Sequence, residues 1–447
     1  MTAPLSSPAA ARGFRLPRLC LPRPDLDLAK WAVVACDQYT AEPEYWRQVE
    51  ALVGDAPSTL RLIFPEVHLG AADAPARIAA IQQAMQRYLA DGLLQDHDGA
   101  VFVEREVDHG VRRGLLLELD LEHYDFSRYS SSLIRPTEGT IVERLAPRIA
   151  VRREAALELP HILVLIDDPA GTVIEPLAAE RAALTRLYDS PLMLGGRHIA
   201  GYAVDAGRAA RAVQALQALG QPQASAARYG MPADTPPMLF AVGDGNHSLA
   251  TAKAIWEQVK AEVGPDHPCR WALVEVENIH DPALAFEPIH RLLFGVKDAG
   301  ALRQALVASL GARVSFTDVP SAEAMRARMA ALGSTCQTAG LIGPGARFAV
   351  VEIVDPPSTL AVGTLQPLLD DFVASGSAQA IDYVHGDDVL ERLAQREGHV
   401  GLHLGTVAKS DLLRMVVREG PLPRKTFSMG EAHEKRFYVE ARRIRSA

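Results

Sequence analysis

The feature that most constrains this chain is a strand, a glycine-bearing turn and a helix in immediate succession. Met238 to Val242 is an apolar run entered through Pro236-Pro237 and reads as a strand. After the turn Gly243-Asp244-Gly245-Asn246-His247-Ser248, the residues Leu249, Ala252, Trp256, Val259 and Val263 recur at helical spacing until Gly264-Pro265 ends the run. Such a turn exposes unpaired backbone N–H groups at the helix start, and glycines let a phosphate approach them. Asp244 can hold a metal or orient a hydroxyl, His247 can bond a phosphate or shuttle a proton, and Lys253 follows little more than a turn into the helix. The same residues also fit a plain helix cap, with Asn246 or Ser248 satisfying the first turn while Gly243 and Gly245 permit the bend. The chain contains no G-x-x-x-x-G-K-[ST], and the turn is not G-x-G-x-x-G. Both absences count against a P-loop NTPase and an ordinary dinucleotide-binding fold.

Composition narrows the setting. At 447 residues with 48% hydrophobic and 23% charged side chains, the chain can bury a large core and is longer than most single domains. Its 46 Lys and Arg against 55 Asp and Glu give a formal net charge of −9, which opposes binding to a nucleic-acid backbone. Cys20, Cys36, Cys269 and Cys336 are scattered and form no C-x-x-C, so neither a disulfide framework nor a zinc ribbon is implied, and a reducing cytoplasm fits. Arg12, Arg15 and Arg18 interrupt the N-terminal stretch before a signal-like apolar run develops, and the run Ile162 to Ile166 stops at Asp167-Asp168-Pro169. A soluble protein is expected, with no membrane span.

The expected organisation is a mobile leader over residues 1–28, a core over 29–296 and a C-terminal α/β subdomain over 297–447. In the last of these, helices and strands alternate through Val314, Val350, Ile381 and His403. Within the core, Trp31 to Cys36 reads as a short buried strand that delivers Asp37 to a loop, and strand ends are where α/β proteins collect catalytic carboxylates. Asp108-His109-Gly110 between two apolar runs predicts a hairpin. Ile141 to Leu157 reads as a helix despite Pro147, His161 to Ile166 as a buried strand, Arg208 to Leu219 as a helix closed by Gly220, and Arg270 to Val276 as another strand.

A second polar cluster runs through Arg135-Pro136-Thr137-Glu138-Gly139 to Arg144, Arg148 and Arg152. The last three are spaced by four and form one basic stripe on a helix, suited to phosphate or carboxylate and equally to a solvated face paired with Glu143 and Glu154. Glu138 sits in a Pro/Gly-bounded turn and can act as a metal ligand or general base. His399 and His403 share a strand face, where a core or surface role fits better than metal binding. Near the C-terminus, Arg424-Lys425-Thr426-Phe427 and Glu434-Lys435-Arg436-Phe437-Tyr438 mix bases with aromatics, as a nucleotide pocket or an ordinary edge strand would.

Taken in order, Ile134 to Thr140, Gly243 to Lys253, Ile289-His290-Arg291-Leu292 and Arg424 to Phe427 resemble the bacterial domain-of-unknown-function family 1015, from about Ala32 to the end. The central D-G-H-H-R element of that family is similar to the signature of the ParB/sulfiredoxin fold, which includes free-serine kinases, CTP-binding ParB switches and sulfiredoxin. The resemblance implies a mixed α/β (α+β) fold with a ParB/sulfiredoxin-like nucleotide-binding core. It further implies that the turn and its helix cradle the phosphates of ATP, ADP or another nucleotide, with Mg²⁺, while an acidic residue acts on a substrate hydroxyl. Asp244, Gly245 and His247 match the signature. Asn246 stands where the first histidine is usual, and Ser248 replaces the arginine, so a phosphate clamp is missing. Sulfiredoxin chemistry needs a cysteine in this turn, and none is there.

The resulting expectation is a cytoplasmic, nucleotide-dependent phosphotransferase acting on a small hydroxylated metabolite such as serine. Gly243, Gly245, Asn246, Ser248, Lys253, Arg135 and Lys425 would hold the nucleotide, and Asp244 with Glu138 would hold Mg²⁺. Asp244 and His247 would assist transfer while Glu138 or Asp37 deprotonates the acceptor. A nucleotide-binding regulator without phosphoryl transfer and a metal-assisted hydrolase are the alternatives. Small-molecule ligands are expected rather than nucleic acid or membrane, with association into a homo-oligomer left open.

Overall fold

The hairpin read from Asp108-His109-Gly110 lies at the centre of the first of two folded units. The computed structural model describes residues 13–140, 145–298, 300–333, 335–406 and 408–445. The first unit comprises the chain up to Ala285 with Val416–Pro421 and Met429–Ala447, and the second comprises Phe286–Met415 with Leu422–Ser428.

Strands of the first unit are β1 (Phe14–Arg15), β2 (Arg18–Pro22), β3 (Leu94–Asp98), β4 (Val101–Val107), β5 (Gly110–Asp120), β6 (Ile134–Pro136), β7 (Leu157–Glu158), β8 (Leu163–Ile166), β9 (Thr185–Pro191), β10 (His198–Ala203), β11 (Phe240–Asp244) and β12 (Trp271–Asn278). Its helices are α1 (Leu28–Trp31), α2 (Pro43–Val53), α3 (Ala74–Ala90), α4 (Leu145–Arg153), α5 (Glu175–Ala179), α6 (Ala206–Leu219), α7 (Pro222–Tyr229) and α8 (Asn246–Val263). The fold is mixed α/β. A nine-stranded sheet runs β6-β11-β8-β12-β5-β4-β10-β9, with β1 also on β5. Val107 pairs with Gly110 across a two-residue turn in which Gly110 takes a φ of 132°.

Both faces of this sheet are covered, and the alternation along the strands shows how. Phe102, Leu115 and Leu117 pack with Ala212 and Leu216 of α6 and Leu249 and Trp256 of α8. Val101, Val103 and Leu116 point the other way, into a cluster with Trp46 of α2 and Ile81 and Met85 of α3. Because β11 runs antiparallel to β8 and parallel to β6, the end of β11, the start of β8 and the end of β6 meet at one edge of the sheet. Among the described residues, no helix is long and apolar enough to cross a membrane.

Three expectations change. From Gly13 onward the presumed leader is structured: β1 pairs with β5 and β2 with β3, with Phe14, Leu19 and Cys20 buried. Residues 1–12 lie outside the described residues. The apolar run Trp31 to Cys36 is buried but is not a sheet strand. It ends α1, whose first turn is capped by Asp27, and then makes a single antiparallel bridge from Val34 to Phe437. The segment Met429–Ala447, expected in the C-terminal subdomain, folds into the first unit, where Arg436, Tyr438, Glu440 and Arg442 are buried. Arg436 bonds Glu275 of β12 at 3.0 Å and Glu440 at 2.6 Å, and Arg442 bonds Glu158 of β7 at 2.6 Å.

In the second unit, strands Phe286–Phe294, Val314–Val319, Gln337–Gly343, Arg347–Ile353, Ala380–His385 and His399–Leu404 form an antiparallel sheet. Here the two C-terminal motifs interlock. The Arg291 guanidinium donates to the carbonyls of Ile289 at 2.7 Å, Lys425 at 2.9 Å and Arg424 at 3.3 Å, and to the Gln366 side chain at 2.6 Å.

Arg436 gives the fold its sharpest test. Removing one partner of a fully buried ion pair strands the others, so Arg436→Met should lower the unfolding free energy by about 3–5 kcal/mol. The exposed pair of Arg47 with Glu44 should be worth less than about 0.5 kcal/mol on Arg47→Ala. Urea unfolding followed by tryptophan fluorescence checks both.

Candidate functional site

The turn after β11 adopts the conformation that its glycines permit. Gly245 has a φ of 76°, and a Cβ there would stand 3.0 Å from the Cα of Ile162. A Cβ on Gly243 would meet the Met429 sulfur at 2.4 Å. Gly245 is therefore needed for the bend, and at both glycines a side chain would crowd its neighbours. The helix cap expected from Asn246 or Ser248 does not form. Gly245 occupies the cap position of α8 without a side-chain hydrogen bond, and the enclosed Asn246 Oδ1 accepts none among the described residues.

Ser248 is instead committed elsewhere. Its Oγ lies 2.8 Å from Nε2 of His161, just before β8, and His161 Nδ1 lies 2.8 Å from the Tyr438 phenol. The phenol also accepts the backbone N–H of Cys36 at 3.1 Å. Both ring nitrogens of His161 are thus hydrogen-bonded, and its tautomer decides whether Nε2 donates to the Ser248 hydroxyl or accepts from it. Burial, together with the charge of Asp37, raises the Tyr438 phenol well above its ordinary pKa, so it stays protonated.

These groups edge a cavity of about 140 Å³. Ser248 and Thr251 of α8, His161, Tyr438 and Cys36 give one polar side. Leu62, Ile63, Phe64, Met85, Val151 and Leu159 give apolar walls, and the pair Glu66–Arg148, at 2.6 Å, supplies charge. Burial pushes the Glu66 carboxyl above its ordinary pKa despite Arg148 beside it. An apolar cavity of about 150 Å³ takes a molecule the size of benzene, so the inner part of this one suits a group of about six to eight heavy atoms.

Asp244 stands at the end of β11. Its Oδ1 accepts the Gly245 N–H at 2.8 Å, and its Oδ2 lies 3.1 Å from the Lys435 ammonium. Burial alone would raise its carboxyl, but Lys435 and the Gly245 N–H outweigh it and hold the pKa below the ordinary value. The donor set does not fit Mg²⁺ at Asp244, because an ammonium already takes the place of a cation. Among the described residues, clustered metal-ligating side chains occur at His290–Asp387–His403 and at Asp108–His433–Glu434, neither at this turn. In the first, the Leu404 N–H donates to His290 Nδ1 at 3.1 Å, so Nε2 carries the hydrogen given to Asp387 and offers no lone pair to a metal.

The other expected residues divide. Thr137 bonds the Val242 carbonyl at 2.7 Å, so Glu138, next along, lies beside the turn at the sheet edge. Asp37 follows cavity-lining Cys36 and is close enough for its charge to act on Glu66 and Tyr438. His247 occupies the first turn of α8, partly exposed. Arg135, by contrast, is buried and ties the Ser132 and Pro236 carbonyls, at the entry to β11 rather than its end. Lys253 bonds the Leu121 carbonyl at 2.8 Å and Glu257 at 2.6 Å. Lys425 belongs to the second unit, where its carbonyl accepts from Arg291. Within the arginine stripe, Arg148 pairs with Glu66 and Arg152 with Glu158, while Arg144 lies outside the described residues. The reading from sequence named Lys435 and Tyr438 within a basic and aromatic stretch but did not assign either to this turn, and it missed His161 as a site residue; alternation with a polar residue at the mouth of a buried strand was the available signal for His161.

Residues 19–370 match the family described as "Protein of unknown function (DUF1015)". The chain belongs to that family. Tyr438 and Lys435, which complete the site, fall beyond the matched residues. A comparison with curated proteins finds no match. Among solved structures, the chain is similar to a conserved hypothetical protein from Pyrococcus furiosus, at 12% identity over 72% of this chain and 90% of that one, TM-score 0.35. It is similar to C-terminally truncated SbnI from Staphylococcus aureus, at 12% identity over 70% and 81%, TM-score 0.35. It is also similar to a free serine kinase in complex with AMP, at 13% identity over 74% and 91%, TM-score 0.37. Likeness at this level is to the outline of the chain and carries nothing about chemistry.

The Asp244–Lys435 pair is testable by pH. Because the folded-state pKa of Asp244 is depressed, its stabilising contribution is complete above the ordinary carboxylate value, about 4, and is lost as pH falls through the lower folded value. Lys435→Met should therefore lower stability by about 2 kcal/mol at pH 7. The gap from wild type should close below about pH 4, as read from thermal unfolding at stepped pH.

Proposed function

We propose that this protein is a nucleotide-dependent phosphotransferase acting on the hydroxyl of a small, largely apolar metabolite in the cytoplasm. The observation that carries this reading is an uncapped helix start, at Gly245, one turn from a small cavity whose polar side is Ser248 with His161. A helix start favours anions through its N–H groups and its dipole; of the turn, Asp244 takes the Gly245 N–H, at the cap position, and no side-chain cap hydrogen bond closes the helix. The motif resemblance to ParB/sulfiredoxin-type nucleotide binders supports phosphates at this place. Lys435, beside Asp244, brings the positive charge that Mg²⁺ was expected to bring.

The cavity then takes the acceptor rather than the nucleotide. Its apolar walls suit a hydroxylated compound with a hydrocarbon body, and serine would leave them unfilled. Asp37, next to cavity-lining Cys36, is better placed than Glu138 to receive the acceptor's proton.

Calorimetry with ATP, ADP, CTP and GTP, followed by product detection over a panel of hydroxylated metabolites, tests the reading. Binding in the micromolar range and turnover of at least one acceptor are expected. His247→Ala should lower kcat about 100-fold with thermal stability unchanged. Val151→Phe, which fills the cavity, should raise the acceptor KM about tenfold and leave nucleotide affinity intact. Nucleotide binding without turnover across the panel would replace this reading with that of a regulator.

A further inference from the structure

We propose that Ser248 is the covalent carrier of the transferred group: the phosphoryl moves from nucleotide to Ser248 Oγ and from there to the acceptor, with His161 as the base. This inference rests on the phosphotransferase reading and specifies its chemical course.

Four observations lead to it. Ser248 is the third residue of α8, where a serine ordinarily caps the helix or bonds backbone, yet its Oγ is spent on His161 Nε2 at 2.8 Å. The far side of the imidazole is anchored by Tyr438, itself fixed by the Cys36 N–H, and in the tautomer that the proposal takes, with the hydrogen on Nδ1, the lone pair of Nε2 faces the serine hydroxyl. Both ring nitrogens are thereby occupied. His161 reaches a ligand only through Ser248, and the serine oxygen is the reactive atom the pair presents. Finally, Ser248 belongs to two places at once: the first turn of α8, where phosphate is favoured, and the wall of a cavity with room for a small acceptor. Ser248 also stands at the position where the resembling signature carries an arginine. A hydroxyl backed by an imidazole replaces a fixed charge, exchanging a phosphate clamp for a nucleophile.

The steps balance. In the first, Ser248 Oγ attacks the terminal phosphorus of a nucleoside polyphosphate. The Oγ–P bond forms, the bond from phosphorus to the bridging oxygen breaks with its electron pair leaving on the shortened nucleotide, and the serine proton passes to His161 Nε2. In the second, the acceptor hydroxyl attacks the phosphoserine phosphorus, its proton passing to Asp37 and on to water. The Oγ–P bond breaks, and His161 returns the proton to Oγ. Each cycle consumes one polyphosphate and one alcohol, and yields the shortened nucleotide, the phosphate ester and one proton.

The test uses the full chain. Protein is mixed with ATP labelled at the γ-phosphorus, or ADP labelled at the β-phosphorus, without acceptor, and is then denatured in detergent and mapped by mass spectrometry. Retained label on Ser248 is expected, together with its loss when the acceptor panel is added. Ser248→Ala should retain no label, and His161→Ala should label about 100-fold more slowly. Ser248→Thr, which keeps the hydroxyl, should recover part of the rate. Nucleotide affinity by calorimetry and thermal unfolding show whether each variant still folds and binds. Product formation by the wild type with no labelled serine, or by Ser248→Ala at the wild-type rate, overturns the covalent course while leaving the phosphotransferase reading standing. Absence of product over the whole panel, with no label retained, overturns both.

Discussion

The site depends on an ion pair that is not itself part of it. Arg436 lies fully buried between Glu275 of β12 and Glu440, on the sheet face that also carries Arg105, Arg112, Glu118 and Glu277. Charged residues in the middle of a buried sheet face are costly unless paired, and Glu277 shows the strain: burial pushes its carboxyl up to about 8 although Arg112 lies 2.8 Å away. The segment that follows Met429 supplies the missing countercharges, and the Trp31 indole fixes it further by donating to the Val439 carbonyl at 2.9 Å.

That anchoring sets where the neighbouring side chains fall. Arg436 and Glu440 hold the segment on one register, so Lys435 reaches Asp244 and Tyr438 reaches His161. Two groups that tune the turn and the cavity are therefore carried by a stretch whose own residues are chosen mainly for neutralising the sheet. Electrostatic cost in the core and chemistry at the edge are coupled through backbone continuity: a slip of the segment by one residue would place Arg436 where Lys435 now stands and leave Glu275 unpaired.

The same logic separates what could be read in the sequence from what could not. The hairpin at Asp108-His109, the strand and helix flanking Gly243 to Ser248, and the helix closed by Gly220 were legible because each follows from local periodicity and turn residues. The partners of Ser248 and Asp244 were not, since His161 is 87 residues from Ser248 and 277 from Tyr438, and no local pattern encodes such pairings. Basic residues near the turn in sequence misled for a related reason. Arg135 and Lys253 reach backbone carbonyls that would otherwise lie unsatisfied, which is a packing role that looks identical to an anion site when only residue type is known. The short run Trp31 to Cys36 was apolar because the returning C-terminal segment covers it, not because it sits within a sheet.

The departures from the signature now have a physical sense. An arginine at position 248 would bring a fixed cation to the first helical turn, where Lys435 already stands beside Asp244. Two cations there would compete for one carboxylate, whereas a serine leaves the Asp244–Lys435 pair intact and turns its hydroxyl toward His161. Asn246 in place of a histidine acts in the same direction. It adds no titrating group beside His247, and its enclosed Oδ1 accepts no hydrogen bond among the described residues. Positive charge in this site comes from a lysine delivered by a distant segment, paired with the one carboxylate of the turn, Asp244, while the rest of the turn is neutral and hydrogen-bonding. That is the arrangement expected when the turn must accommodate a group that arrives, bonds and leaves, rather than one held by a permanent countercharge.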